Sequence, residues 1–163
     1  MFNLIHQLLN KSIHSLSSCI LCGIDRQQHH SLCQDCWQQL PWLKSNVQRQ
    51  EIDIQVACHY SYPMDRIIQK YKYEQQLQFQ RLLAETLIAL HLPKVQAIVP
   101  MPISAPRLAE RGYNQSLVIA KILAKHLNVP VWQPISRSDQ HSQKGLTRIE
   151  RIENIEQQFE ICT

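Results

Sequence analysis

Two cysteine pairs constrain this chain more than any other feature. Cys19 and Cys22, then Cys33 and Cys36, form two CxxC units separated by ten residues. Each pair lets the backbone wrap one edge of a tetrahedral ion, and the intervening loop brings the pairs together. Four soft thiolates in a closed tetrahedron suit Zn²⁺, which supplies folding energy that so short a segment lacks. Gly23 directly after Cys22 fits a metal knuckle, where a residue tolerant of positive φ is needed. Competing readings are a redox dithiol, an iron–sulfur cluster or unbound cysteines. A redox site needs only one pair beside a βαβ unit. His29 and His30 could replace a cysteine as ligand, but four sulfurs already complete the shell. A four-cysteine shell leaves no open position for substrate, so the expected zinc is structural.

The remaining cysteines, Cys58 and Cys162, stand alone. Residues 1–18 place Phe2, Leu4, Ile5, Leu8, Leu9, Ile13 and Leu16 among His6, Asn10, Lys11 and His14. This stretch has no basic start and no small-residue cleavage site. It reads as an amphipathic helix packed on the protein, with a membrane-surface helix as the weaker alternative; a signal peptide or membrane span is not expected. A cytoplasmic location follows as the expectation, and in a chain without an export signal paired CxxC reads as metal before disulfide.

With 163 residues, 44% hydrophobic and 18% charged, the chain has globular composition, and neither figure suggests disorder or a coiled coil. Segment 19–43 is too small to bury a core, and 44–51 reads as a linker. From Ile52 the pattern alternates strictly through Ile54, Val56, Cys58, Tyr60 and Tyr62, predicting a strand with that face buried. Asp65 is the expected cap of a helix carrying Ile67, Ile68 and Tyr71. A second helix carries Phe79, Leu82, Leu83, Leu87 and Leu90. Ala97–Val99 is a short apolar strand. Asn114 is the expected N-cap of a helix with Leu117, Ala120, Ala124 and Leu127, and Pro130 lies beyond its end. Val131–Ile135 can form another strand, and Leu146, Ile149, Ile152 and Ile155 a last amphipathic helix. Strands alternating with helices predict an α/β domain with a parallel sheet.

Charge is uneven. The net charge is +4, and residues 104–151 hold eight Lys or Arg against three acids. This excess favours phosphate or nucleic acid as a partner, or is simply a solvated surface. Within it, Val99-Pro100-Met101-Pro102-Ile103-Ser104, then Arg107, then Arg111-Gly112-Tyr113-Asn114-Gln115 read as an anion site at the end of a parallel strand. Open N–H groups at a helix start, a glycine for close approach and two arginines can hold phosphate oxygens. Gln143-Lys144-Gly145-Leu146 with Arg148 and Arg151 forms a second basic cluster; the bland reading is a solvated helix pairing with Glu150 and Glu153. Trp37 and Trp42 can stack on bases, or form a hydrophobic junction through Leu40-Pro41-Trp42.

In their order, the CxxC pairs, Leu40-Pro41-Trp42, Lys70-Tyr71-Lys72, Pro100-Met101-Pro102, Arg111–Gln115, Gln143–Leu146, Arg148-x-x-Arg151-x-x-Asn154 and Phe159 resemble the ComF family. That resemblance implies a zinc ribbon (19–43) fused to a type I phosphoribosyltransferase-like domain (52–163), acting in natural competence and the handling of incoming single-stranded DNA. It implies that Pro102, Arg107, Arg111, Gly112 and Asn114 line a site for phosphoribosyl pyrophosphate (PRPP) or another phosphorylated small molecule. Lys144, Arg148 and Arg151 would belong to a loop that closes over it. Members continue with two adjacent aspartates and a Thr-Thr-Gly turn. This chain has no Asp-Asp pair, and its three glycines, Gly23, Gly112 and Gly145, leave none for such a turn after residue 145. The expectation is therefore a truncated member with an incomplete parallel sheet and no transferase activity of its own, with Mg²⁺ binding confined to a full-length form. The alternative is a non-catalytic zinc-ribbon adaptor that binds single-stranded DNA or a partner competence protein.

Overall fold

Each of the two units holds both helices and strands, and the break between them falls at Leu92–Pro93. The computed structural model describes residues 17–28, 31–49, 51–138 and 158–162. Contacts divide the chain into Met1–Leu92 and Pro93–Thr163. The expected helices over 1–18 and 146–155 lie outside the described residues, apart from Ser17 and Ser18.

The first unit opens with the cysteine segment and a short helix, α1 (Gln34–Gln38), and continues into strand β1 (Trp42–Arg49). Residues expected as a linker are therefore mostly strand. Their sequence carries little apolar signal, because Val47 is the only aliphatic residue after Leu43. It is backbone pairing with β2 (Ile52–Cys58) that makes them β, in antiparallel register with Val47 opposite Ile54 and Arg49 opposite Ile52. Between Trp42 and Ser45 the register slips by one residue, and Lys44 adopts φ 46°, the left-handed conformation that such a bulge favours.

The alternation of β2 is correct, but the buried face is not the expected one. Ile52 and Ile54 are 64% and 43% exposed, and Tyr60 and Tyr62 are exposed beyond the strand's end. Ala57, of opposite parity, is the buried residue. On that same parity Gln55 donates Nε2 to the His91 carbonyl at 3.1 Å. A two-stranded ribbon has two faces, and here the covering chain lies on the Gln55–Ala57 side.

Helices α2 (Met64–Tyr73) and α3 (Phe79–Ile88) supply the core of this unit with Met64, Ile67, Tyr71, Phe79, Leu82, Leu83 and Ala84; α3 packs on both α2 and β2. Asp65 is not the cap of α2. Pro63 occupies that position with no side-chain bond, while Asp65 sits in the first turn, its Oδ1 accepting from the Arg66 N–H. A carboxylate there still favours the helix through its dipole.

In the second unit α4 (Ala105–Arg111) was not anticipated from the sequence. Pro106 in its first turn has the φ a helix start requires, and Gly112 ends it at φ 74° with its N–H on the Leu108 carbonyl. Helix α5 (Gln115–Leu127) begins as expected. Asn114 Oδ1 accepts from the N–H groups of Ser116 and Leu117 at 3.0 and 3.3 Å, and Asn128 closes the helix at φ 56°.

The two segments expected as parallel strands meet through one isolated parallel bridge, Ile98 with Val131. Its bonds run from Ile98 N–H to the Pro130 carbonyl and from Trp132 N–H to the Ile98 carbonyl. Pro100, Pro102, Pro130 and Pro134 flank both segments, and a proline donates nothing to a ladder. Strands β3 (Ile135–Arg137) and β4 (Phe159–Ile161) pair antiparallel. The described residues are thus mixed helix and strand, with two antiparallel ribbons and no continuous parallel sheet.

Candidate metal centre and anion cleft

Two unlike turns present the four cysteines. At the first, Gly23 takes φ 70° and its N–H returns to the Cys19 carbonyl at 2.9 Å, while Leu21 N–H points at the Cys19 sulfur at 3.4 Å. The conformation that motivated the knuckle reading is therefore present. At the second, Cys33 is the N-cap of α1, and its sulfur receives the Cys36 N–H at 3.5 Å.

The sulfurs of Cys19, Cys22, Cys33 and Cys36 all lie within 4.8 Å of one another, and those of Cys22 and Cys33 are 3.9 Å apart. A tetrahedron of thiolates at the ordinary zinc–sulfur length has edges of about 3.8 Å, so the donor set fits such an ion. Cys19 and Cys33 are buried, Cys22 is exposed and Cys36 lies between.

The thiols respond unequally to this crowding. Burial pushes Cys19 up, but the backbone N–H groups of Cys22, Cys33 and Leu21 outweigh it, and its thiol comes down to about 6. Burial pushes Cys36 upward, reinforced by the neighbouring sulfurs of Cys33, Cys19 and Cys22. For Cys33 the Cys36 N–H favours thiolate, yet burial and the sulfurs of Cys19 and Cys22 prevail and raise it. Cys19 is thus drawn toward thiolate while Cys33 and Cys36 are held toward thiol, an imbalance that a bound cation relieves.

Beside the cluster, Trp42 donates Nε1–H to the Trp37 carbonyl at 3.0 Å, the two rings meet edge to face at 4.9 Å, and Lys44 Nζ stands 4.2 Å from the Trp42 ring centre. Both tryptophans are engaged inside the unit.

The second unit contains a cleft of about 560 Å³. Pro102 and Asn114, two of the residues the sequence singled out, line it, and Asn114 Nδ2 also ties the loop by donating to the Met101 carbonyl. Arg107, Arg111 and Gly112 do not line it. Arg111 instead donates Nη1 to Gln115 Oε1 at 3.3 Å. The helix-start N–H groups of Ser116 and Leu117 are already taken by Asn114. Lys144, Arg148 and Arg151 lie outside the described residues.

Cleft residues that sequence reasoning passed over are Lys121, one turn beyond Leu117 and Val118 on α5, and Gln133, Ser136 and Arg137. Arg137 donates Nη2 to Gln158 Oε1 at 3.0 Å and lies 5.6 Å from the Phe159 ring centre. A basic residue inside Ile135–Ser138 was the available signal, but the sequence has no means of indicating that β4 comes back to hold it. Burial raises the Tyr113 hydroxyl above the usual phenol value, against the opposing pull of Arg111.

Among the described residues no helix is long and apolar enough to cross a membrane. No family model matches the chain. A comparison with curated proteins finds competence protein F of Haemophilus influenzae, 29% identical over 164 aligned residues covering 93% of this chain and 67% of that protein. That match spans the cysteine pairs as well as the cleft segments, and it supports a relationship between this chain and the ComF family.

Proposed function

We propose that the protein acts in natural competence, in the cytoplasmic handling of incoming single-stranded DNA, and that its second unit binds a phosphorylated sugar such as PRPP. The observation that carries the competence role is the alignment with competence protein F across 93% of the chain. The sugar-phosphate site is proposed from Pro102, Arg107, Arg111, Gly112 and Asn114, with Lys144, Arg148 and Arg151 added from the second basic segment. Its support is the cleft that Pro102 and Asn114 line and the basic balance of residues 104–151. Zinc on the four cysteines serves as a structural staple for a segment with little core of its own.

The test is complementation. A Haemophilus influenzae strain lacking competence protein F, supplied with this chain, should regain transformation well above the empty-vector strain. Transformation at the empty-vector level, with the protein present by immunoblot, would overturn the competence reading. A second reading, a zinc-ribbon adaptor for single-stranded DNA without small-molecule chemistry, is favoured by the exposed rings of Tyr60, Tyr62 and Tyr73 and the exposed Lys70 and Lys72 of the same unit. It predicts salt-dependent binding of oligo(dT) that PRPP does not alter.

A further inference from the structure

The four cluster sulfurs are alike as ligands and unequal in access. Cys19 and Cys33 are 1% and 4% exposed, Cys36 lies between, and Cys22 is open to solvent. An oxidant arriving from solution therefore meets Cys22 first. A zinc ion does not change oxidation state, so any electrons the cluster gives up come from sulfur.

The partner of Cys22 is set by distance and by what already engages each sulfur. Its sulfur is 3.9 Å from that of Cys33, across the two pairs, and has to move only about 2 Å to reach bonding distance. Cys19, the other member of its CxxC unit, instead receives the Leu21 N–H of its own turn on its sulfur.

Backbone groups alone build the frame around these sulfurs. The Cys19 N–H bonds the Asp25 carbonyl at 2.7 Å, the Ile20 N–H the Ser31 carbonyl at 3.1 Å and the Gln28 N–H the Leu32 carbonyl at 2.9 Å. Leu32, next to Cys33, is fully buried. The two turns are thus tied side by side through bonds that involve no cation, and a bridge between Cys22 and Cys33 needs no unfolding of the segment.

We propose that the cysteine cluster is a redox switch, in which a peroxide oxidises Cys22, Cys33 closes a disulfide across the two pairs, and the zinc ion is released. The inference rests on the zinc reading of the cluster. In the first step the Cys22 thiolate attacks one peroxide oxygen, the O–O bond breaks, hydroxide leaves and a sulfenic acid remains. In the second the Cys33 thiolate attacks the Cys22 sulfur, the S–O bond breaks and a second hydroxide leaves. The two sulfurs lose two electrons and the peroxide oxygens gain them. Cys19 and Cys36 then remain as half of a tetrahedral shell. Closure also draws the Cys33 sulfur away from the Cys36 N–H that it accepts at 3.5 Å, so α1 loses its N-cap.

The experiment treats the full chain, purified under reducing conditions and freed of reductant, with a small excess of hydrogen peroxide. Elemental analysis beforehand tests the zinc reading on its own. A chromogenic zinc chelator is expected to register one ion released per disulfide formed, and non-reducing peptide mapping to find Cys22 joined to Cys33. Dimedone present during oxidation should tag Cys22 ahead of the other cluster cysteines. Dithiothreitol followed by zinc should restore the thiols and the bound ion. Cys162→Ser removes the exposed thiol outside the cluster and should leave release and bridge unchanged. Zinc retained while only Cys58 or Cys162 is oxidised, a bridge within one CxxC unit in place of Cys22–Cys33, or a loss of zinc that reduction does not reverse overturns the switch. A chain that holds no zinc before oxidation overturns the metal reading, and with it the release, whatever bridge then forms.

Discussion

The sulfurs of Cys22 and Cys33 lie 3.9 Å apart although eleven positions separate them in sequence. One belongs to a glycine-assisted turn and the other caps α1, so the contact joins two local structures that the bond from the Ile20 N–H to the Ser31 carbonyl, at 3.1 Å, also ties together. Without a cation, the thiols of Cys33 and Cys36 are raised beside a lowered Cys19, so a bound ion favours the thiolate form of both. The purified protein is expected to hold one zinc ion per chain by elemental analysis. Cys33→Ser should remove the ion and also weaken α1, whereas Cys22→Ser should remove the ion alone. Zinc content that is unchanged in both variants would contradict the cluster's role.

Asn114 performs two jobs with one side chain. Its oxygen receives the first free N–H groups of α5 and its amide nitrogen holds the Met101 carbonyl. Asn114→Ala should therefore cost about 1–2 kcal/mol, the upper part of the range for a lost N-cap. Asn114→Asp keeps the cap and loses only the donor to Met101, so it should cost less. Urea unfolding of the three proteins gives the order directly, and equal midpoints would show that the cap contributes nothing.

The N-cap, the Gly23 conformation and the cysteine cluster were legible because each is written in residues within about a dozen positions of one another. The helices α2, α3 and α5 were legible from apolar spacing. What escaped was set by partners distant in sequence. Strand β1 is β because β2 lies beside it, and its own residues after Leu43 are nearly all polar. The choice of buried face in β2 depends on which side the chain near His91 covers, and a period of two is silent on that. The parallel sheet was inferred from element order, yet prolines around Ile98 and Val131 leave a single bridge. In the cleft, the motif residues Pro102 and Asn114 are present, but Arg137 gains its orientation from Gln158, twenty-one positions away.

Cys58 provides a pH signature separate from the metal cluster. Burial raises its thiol above the ordinary value, with Lys44 opposing. The folded protein therefore keeps a proton there that the unfolded chain releases. The sign follows: this group's contribution to stability is present below the ordinary thiol value, near pH 8.5, and is lost as pH rises through the raised one. Since thiolate is the nucleophile, iodoacetamide should label Cys58 more slowly than the exposed Cys162 at about pH 8.5, with the gap narrowing as pH increases. Peptide mapping by mass spectrometry measures both sites in one sample, and equal rates would show that the burial is not felt.

Two isoleucines in the first unit separate pattern from packing. Ile54 lies on the alternating face of β2 and is 43% exposed, whereas Ile67 on α2 is 2% exposed among the core residues of the unit. Truncating a buried isoleucine removes transfer free energy and leaves a cavity, so Ile67→Ala should cost about 2–4 kcal/mol. Ile54→Thr keeps a β-branched side chain on a wet ribbon face and should change stability by roughly 0.5 kcal/mol or less. The comparison is made by urea unfolding with zinc held saturating, so that the cysteine cluster stays constant across the variants. A large loss at Ile54 would mean that its face is covered in solution, restoring the burial that the alternation alone predicts.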